Sequence, residues 1–167
     1  GEAHTKTTRI HEVVADRYLK KRAIGPRIVF MKVECPPDKA EVSTVELLDE
    51  DGVGHVFRDG RQTTLKRLMK VLDGYDILVT WGGAERDVPI LTAWSLHVGA
   101  DPSPLHNLMH LDLQLFIKQH LKINGPELEK TARFLGARPK TDHLKTLEAV
   151  FDKLRKLIKT IKPELAL

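Results

Sequence analysis

Residues 27–34 read Arg-Ile-Val-Phe-Met-Lys-Val-Glu, an apolar run of strand length broken only at position 32 and at its ends. A run without alternation predicts a central strand covered on both faces. Val42 to Leu48 mixes Val, Thr and Glu with a period near two, and Asp51-Gly52 supplies a hairpin turn into a third strand over 54–58. Helical spacing then takes over, with Leu65, Leu68, Met69, Val71 and Leu72 predicting a helix stopped at Gly74. Residues 76–81 predict a fourth strand, followed by a helix from about Glu85 through Leu96 that Gly99 closes, and by a loop from Pro102 to Asn107. His110-Leu-Asp-Leu113 predicts a short fifth strand. Three helices follow, carried by Leu115 to Leu121, Leu128 to Leu135 and Leu144 to Ile161, the last with Asp142 as N-cap. Upstream, residues 9–23 read as a short amphipathic helix ended by Gly25-Pro26, so residues 1–26 are expected as a helical extension and 27–167 as one domain.

Three antiparallel strands, then helix, strand, helix, strand and helices, describe an α/β domain with a mixed five-stranded sheet. That is the order of the ribonuclease H-like fold. Composition agrees with one soluble domain: 167 residues, 41% hydrophobic and 30% charged, with no apolar run near the ~20 residues of a membrane span. The polar start from Gly1 to Lys6 predicts no secretory signal, and the single Cys35 permits no internal disulfide, so a cytoplasmic location is expected. Cys35 itself is expected to be a small buried hydrophobe.

Charge changes the picture more than composition does. Residues 113–167 carry 12 basic and 6 acidic side chains, net +6, within a chain whose total is +4. A basic C-terminal third points to a polyanion partner. Lys118, Lys122, Arg133, Arg138, Lys140 and Lys145 are placed to follow a phosphate backbone, whereas aromatics are only 5% of the chain, too few for a stacking platform. Phosphate-binding P-loops, dinucleotide glycine fingerprints, nucleophile elbows and zinc-type cysteine spacings do not occur.

The candidate chemistry lies at the end of the first strand. Residues 32 and 34 share one face of that strand, and two carboxylates at such a spacing grip the same ions in two-metal nucleases. Here Glu34 stands at the second position and Lys32 at the first. Phe30-Met31-Lys32-Val33-Glu34 resembles, in register, the first motif of the DnaQ-like 3′–5′ exonucleases, the DEDD group of the ribonuclease H-like superfamily, with Lys in place of the motif's Asp. Trp81-Gly-Gly-Ala-Glu-Arg-Asp87-Val-Pro-Ile-Leu91 resembles the second motif, with Gly82 in place of Asn and Arg86 in place of an aromatic. His143-Leu-Lys-Thr-Leu-Glu148-Ala149 has the spacing of the third motif in one branch, with Glu in place of Asp. The other branch's pattern falls on Asp152.

The resemblance covers roughly residues 27–160. It implies an exonuclease-like domain that acts in DNA replication or repair, in company with other proteins of that machinery, and binds single-stranded DNA or RNA. In such a site Glu34, Asp87 and Glu148 are the remaining ligands for Mg2+ or Mn2+, His143 is the general base, and Lys32, Trp81, Lys140 and Lys145 face the substrate. Asp112 and Asp152 are the alternatives for a missing ligand in a rearranged active enzyme, and an interaction scaffold without nucleic-acid contact is a third reading. Lys32 itself is expected to be an internal cation standing in for a metal, with catalysis impaired or lost, because an ammonium a few ångströms from a divalent ion is repelled by several kcal/mol.

Overall fold

The structure is a computed structural model and describes residues 25–161. The predicted helix over 9–23 lies outside the described residues. Five strands form one sheet of order β3-β2-β1-β4-β5: β1 (Ile28–Glu34), β2 (Thr44–Asp49), β3 (Gly54–Phe57), β4 (Ile77–Thr80) and β5 (Met109–Asp112). β1, β2 and β3 are successively antiparallel, whereas β4 runs parallel to β1 and β5 parallel to β4. This is the expected mixed α/β sheet, with β1 at its centre.

The helices are α1 (Gln62–Leu72), α2 (Asp87–Val98), α3 (Ser103–His106), α4 (Leu113–His120), α5 (Leu128–Phe134) and α6 (His143–Ile161). The single-turn α3 occupies the stretch expected as a loop. Its start is set locally: the Asp101 carboxylate accepts the Ser103 N–H at 3.0 Å and the Ser103 hydroxyl at 2.6 Å. That holds the chain in a turn which Pro104 continues. Element ends elsewhere differ from the pattern reading by about two residues, as at β2, which starts at Thr44 instead of Val42.

The alternation of β1 divides the interior into two cores. Val29, Met31 and Val33 pack with Leu65, Leu68, Leu72 and Leu91 on the α1–α2 side. Ile28 and Phe30 pack with Leu113, Ile117, Leu147, Val150 and Phe151 on the side of α4 and α6. Lys32 and Glu34 continue the Ile28–Phe30 parity, so the strand aims them at the α6 side just where the apolar face runs out. Phe30 meets the Phe151 ring edge-on at a centroid distance of 5.6 Å, which packs the middle of α6 on the first half of β1.

Truncating Phe30→Ala is expected to cost about 3–5 kcal/mol in denaturant unfolding, since the residue is wholly buried. Phe134→Ala, at a ring 73% exposed, is expected to stay within about 0.5 kcal/mol of the parent.

Candidate functional site

Pairing of β4 with β1 stops at Phe30 opposite Val79. Beyond it the chain turns out of the sheet through Trp81-Gly82-Gly83, leaving the next peptide groups of β1 without a ladder partner on that side. The turn demands glycine. Gly82 has φ +75°, and a Cβ on Gly83 would fall 2.3 Å from the Thr80 hydroxyl oxygen. Thr80 Oγ1 also accepts the Gly83 N–H at 3.2 Å and shares a 2.7 Å hydrogen bond with His110 Nε2. Burial holds His110 below the ordinary histidine value, the Asp112 and Asp87 carboxylates opposing the shift.

The turn delivers Arg86 and Asp87 to the exposed edge of β1. The Val33 N–H donates to Asp87 Oδ2 at 3.0 Å, and one guanidinium nitrogen of Arg86 donates both to the Val33 carbonyl at 2.8 Å and to Asp87 Oδ1 at 2.9 Å. Two side chains thus supply the ladder bonds that β4 no longer makes. The Asp87 side chain is 5% exposed and that of Arg86 53%, so the carboxylate is sealed under a guanidinium open to solvent. As the first residue of α2, Asp87 also faces the positive end of that helix.

On the α6 side of the same strand, Lys32 Nζ lies 3.1 Å from Glu34 Oε1, both side chains part-exposed. His143, the first residue of α6, completes the group. Its ring is held below the ordinary histidine value chiefly by burial and then by the Lys32 ammonium, with Asp87 and Asp142 acting in the opposite sense. Asp142 behaves as the expected cap, accepting the Leu144 N–H at 2.9 Å. A cleft of about 250 Å³ runs along this helix start and is lined by Lys140, His143, Thr146 and the α5 entry at Glu127 to Glu129.

Lys32, Glu34, Asp87 and His143 are therefore brought together, with Lys140 on the adjoining cleft wall. Trp81 packs against the α4–α6 core. Glu148 is placed elsewhere. Its carboxyl is pushed above the ordinary value by burial and by Asp152, Glu50 and Asp49, and Asp49 pairs with Val29 at the far end of β1, about 16 Å from Glu34 along the strand. The helical geometry explains this: α6 begins at the cluster and carries residue 148 away from it. Lys145 lies on the same helix with its side chain exposed. Asp152 belongs with Glu148, and Asp112 is engaged by backbone, accepting N–H groups of Gly82, Ala84, Gln114 and Leu115 at 2.8–3.4 Å. Neither alternative ligand joins the cluster.

The donor set does not fit a pair of divalent ions. An ammonium sits against Glu34 and a guanidinium against Asp87, and among the described residues no three His, Cys, Asp or Glu side chains are grouped to hold a metal. Arg86 is the site residue that pattern reading passed over, counted only as a departure from an aromatic. A second cation directly beside a motif acid, in a chain whose first motif already bears Lys32, was the available signal.

No family model matches the chain, and no curated protein matches it. Solved structures do. The exonuclease I chain of an ExoI/SSB-Ct complex superposes with a TM-score of 0.64 at 14% identity, over 84% of this chain and 42% of that one. Escherichia coli exonuclease I bound to a dA16 oligonucleotide gives 0.63 at 13% identity with the same coverage. The zinc-bound form of the E. coli enzyme with single-stranded DNA gives 0.61 at 14%. At such identities the shared property is the fold, and this chain spans about 42% of the length of those proteins.

Removing the sealed carboxylate leaves the Val33 N–H unpaired and frees Arg86, so Asp87→Ala is expected to lose about 2–4 kcal/mol in urea titration. Asp87→Asn, which keeps an acceptor for Val33, should lose less. Glu148→Gln is expected to raise the melting temperature at neutral pH. The folded state raises the Glu148 pKa above 4.5, so its ionised form is disfavoured there, and the advantage of Gln fades as pH falls through the raised folded value toward 4.5. A Glu148→Gln protein less stable than the parent at neutral pH would contradict this placement.

Proposed function

We propose that this chain is an exonuclease-like nucleic-acid-binding domain, serving DNA replication or repair, whose cleft holds single strands with fixed cations and does not cut them. The observation that carries the reading is the pairing of Lys32 with Glu34 at 3.1 Å beside the pairing of Arg86 with Asp87 at 2.9 Å. Both acids that match the nuclease motifs are already balanced by protein cations. A divalent ion placed 4 Å from either cation would meet a repulsion on the order of 8 kcal/mol at an effective dielectric of 20, in addition to competing for carboxylates already engaged.

The residues present suit phosphate. Arg86 is anchored through one nitrogen, which leaves the rest of its planar fork facing solvent, and Lys32 spends one of its three donors on Glu34. His143, neutral at physiological pH because its pKa is lowered, offers one donor and one acceptor to a bound strand. Lys140 and Lys145 add charge along the cleft wall and the helix beyond it. That exonuclease I, a protein of this fold, is seen with an oligonucleotide supports nucleic acid as the ligand class. The active-enzyme alternative loses support from the engagement of Asp112 by four N–H groups and from the distance of Asp152. No described helix is long and apolar enough to cross a membrane.

Incubated with end-labelled oligothymidylate and Mg2+ or Mn2+, the protein is expected to bind the strand at low salt and leave its length unchanged. Metal-dependent release of mononucleotides that vanishes in Asp87→Ala would contradict the reading, as would failure to bind at low salt.

A further inference from the structure

The outward face of α6 carries Lys145, Lys153, Lys156 and Lys159, all exposed. At 3.6 residues per turn they fall within an arc of about 120° and span about 21 Å of helix. None forms a salt bridge among the described residues; on this helix the ion pair belongs to Arg155, which binds Glu50 at 2.9 Å. Asp152 is the one acid inside the arc. Glu148 lies at its edge, turned toward Asp49 and Glu50.

Four ammonium groups in one row, with Asp152 the one acid among them, cost self-repulsion, and an anionic partner removes it. The two polyanions to weigh are a nucleic-acid backbone and an acidic membrane surface. A membrane-bound helix must sink its apolar face into lipid. Here that face, formed by Leu144, Leu147, Val150, Phe151 and Leu154, is buried against the sheet, so the helix can present only its lysines. The row lies opposite the buried face of α6 and about 140° around the helix from His143, so it is a surface separate from the cleft at the start of that helix. No aromatic side chain lies in the arc, so contact there is with phosphate and indifferent to base.

We propose that the Lys145–Lys159 face of α6 is a docking surface for the phosphate backbone of single-stranded nucleic acid, additional to the cleft at the start of that helix. The proposal rests on the nucleic-acid-binding reading and adds to it a second contact surface. Each phosphate neutralised on a single strand contributes about −0.7 to the slope of log affinity against log salt.

The test is fluorescence anisotropy of labelled oligothymidylate between about 20 and about 200 mM salt, with wild type and two variants. The first combines Lys145→Gln, Lys153→Gln, Lys156→Gln and Lys159→Gln. The second combines Lys66→Gln, Arg67→Gln and Lys70→Gln, which removes an exposed basic group from α1 on the other side of the sheet. All seven side chains are exposed, and unchanged melting curves verify that the variants fold. The α6 variant is expected to lose about 2–3 units of slope and roughly tenfold or more in affinity at low salt, with less than about a twofold change in the α1 variant. Wild-type binding with an unaffected α6 variant would overturn this surface and leave the nucleic-acid reading standing. Equal losses in both variants would reduce it to net charge and overturn it as well. Absence of wild-type binding would sink both, and lysine-dependent binding to phosphatidylserine vesicles without oligothymidylate binding would assign the face to membranes instead.

Discussion

The peptide group of Val33 is the point on which the site depends. It belongs to the central strand, three residues past the last pairing with β4, and a buried N–H and C=O left open there would cost about 1–3 kcal/mol each. The chain meets this demand with side chains: the Asp87 carboxylate takes the N–H and the Arg86 guanidinium takes the carbonyl, at 3.0 and 2.8 Å. Everything around the cleft follows from that closure. The glycine turn at 82–83 brings Arg86 and Asp87 into reach, Asp112 clamps the turn through Gly82 and Ala84, and α2 starts where Asp87 is fixed.

This closure also decides what the site can do chemically. A carboxylate that accepts a backbone N–H with one oxygen and a guanidinium with the other is committed to the fold. A second acid, Glu34, is committed to Lys32 two residues away on the same strand face. The cluster is balanced by protein cations, with His143 kept neutral by burial and by the nearby ammonium. At the opposite end of β1 the electrostatics reverse, with Glu148 held among Asp49, Glu50 and Asp152. One helix, α6, carries both His143 and Glu148 and shows its lysines to solvent on its outward face.

Much of this was legible in the sequence because strand parity and helical period carry it. The apolar run at 28–33, interrupted only by Lys32, placed β1 in the centre of the sheet, and the spacing of residues 32 and 34 placed Lys32 and Glu34 on one face, both as found. The turn glycines and the Asp142 cap were readable for the same local reason. What escaped was long-range. Residue spacing in the third motif put Glu148 with His143, but a regular helix starting at residue 143 carries position 148 toward the far end of the strand. Arg86 was invisible as a site residue because its role is to replace a missing strand neighbour, and no local pattern records where β4 stops pairing. The short α3 depends on the Asp101 side chain closing a turn, a signal too brief for periodicity.

The central proposal is that Lys32, paired with Glu34 at 3.1 Å, stands at the position of a metal-binding carboxylate. Its most direct test is the melting temperature of Lys32→Asp against the parent, measured with chelator and with rising Mn2+ or Mg2+. Replacing the ammonium with a carboxylate gathers acids that nothing then balances, so the variant should melt below the parent in chelator and gain stability with added metal by mass action, while the parent stays indifferent to metal. A variant with unchanged metal-free stability and no response to either ion would show that Lys32 does not stand at a metal position, and the account of the cleft would fall with it.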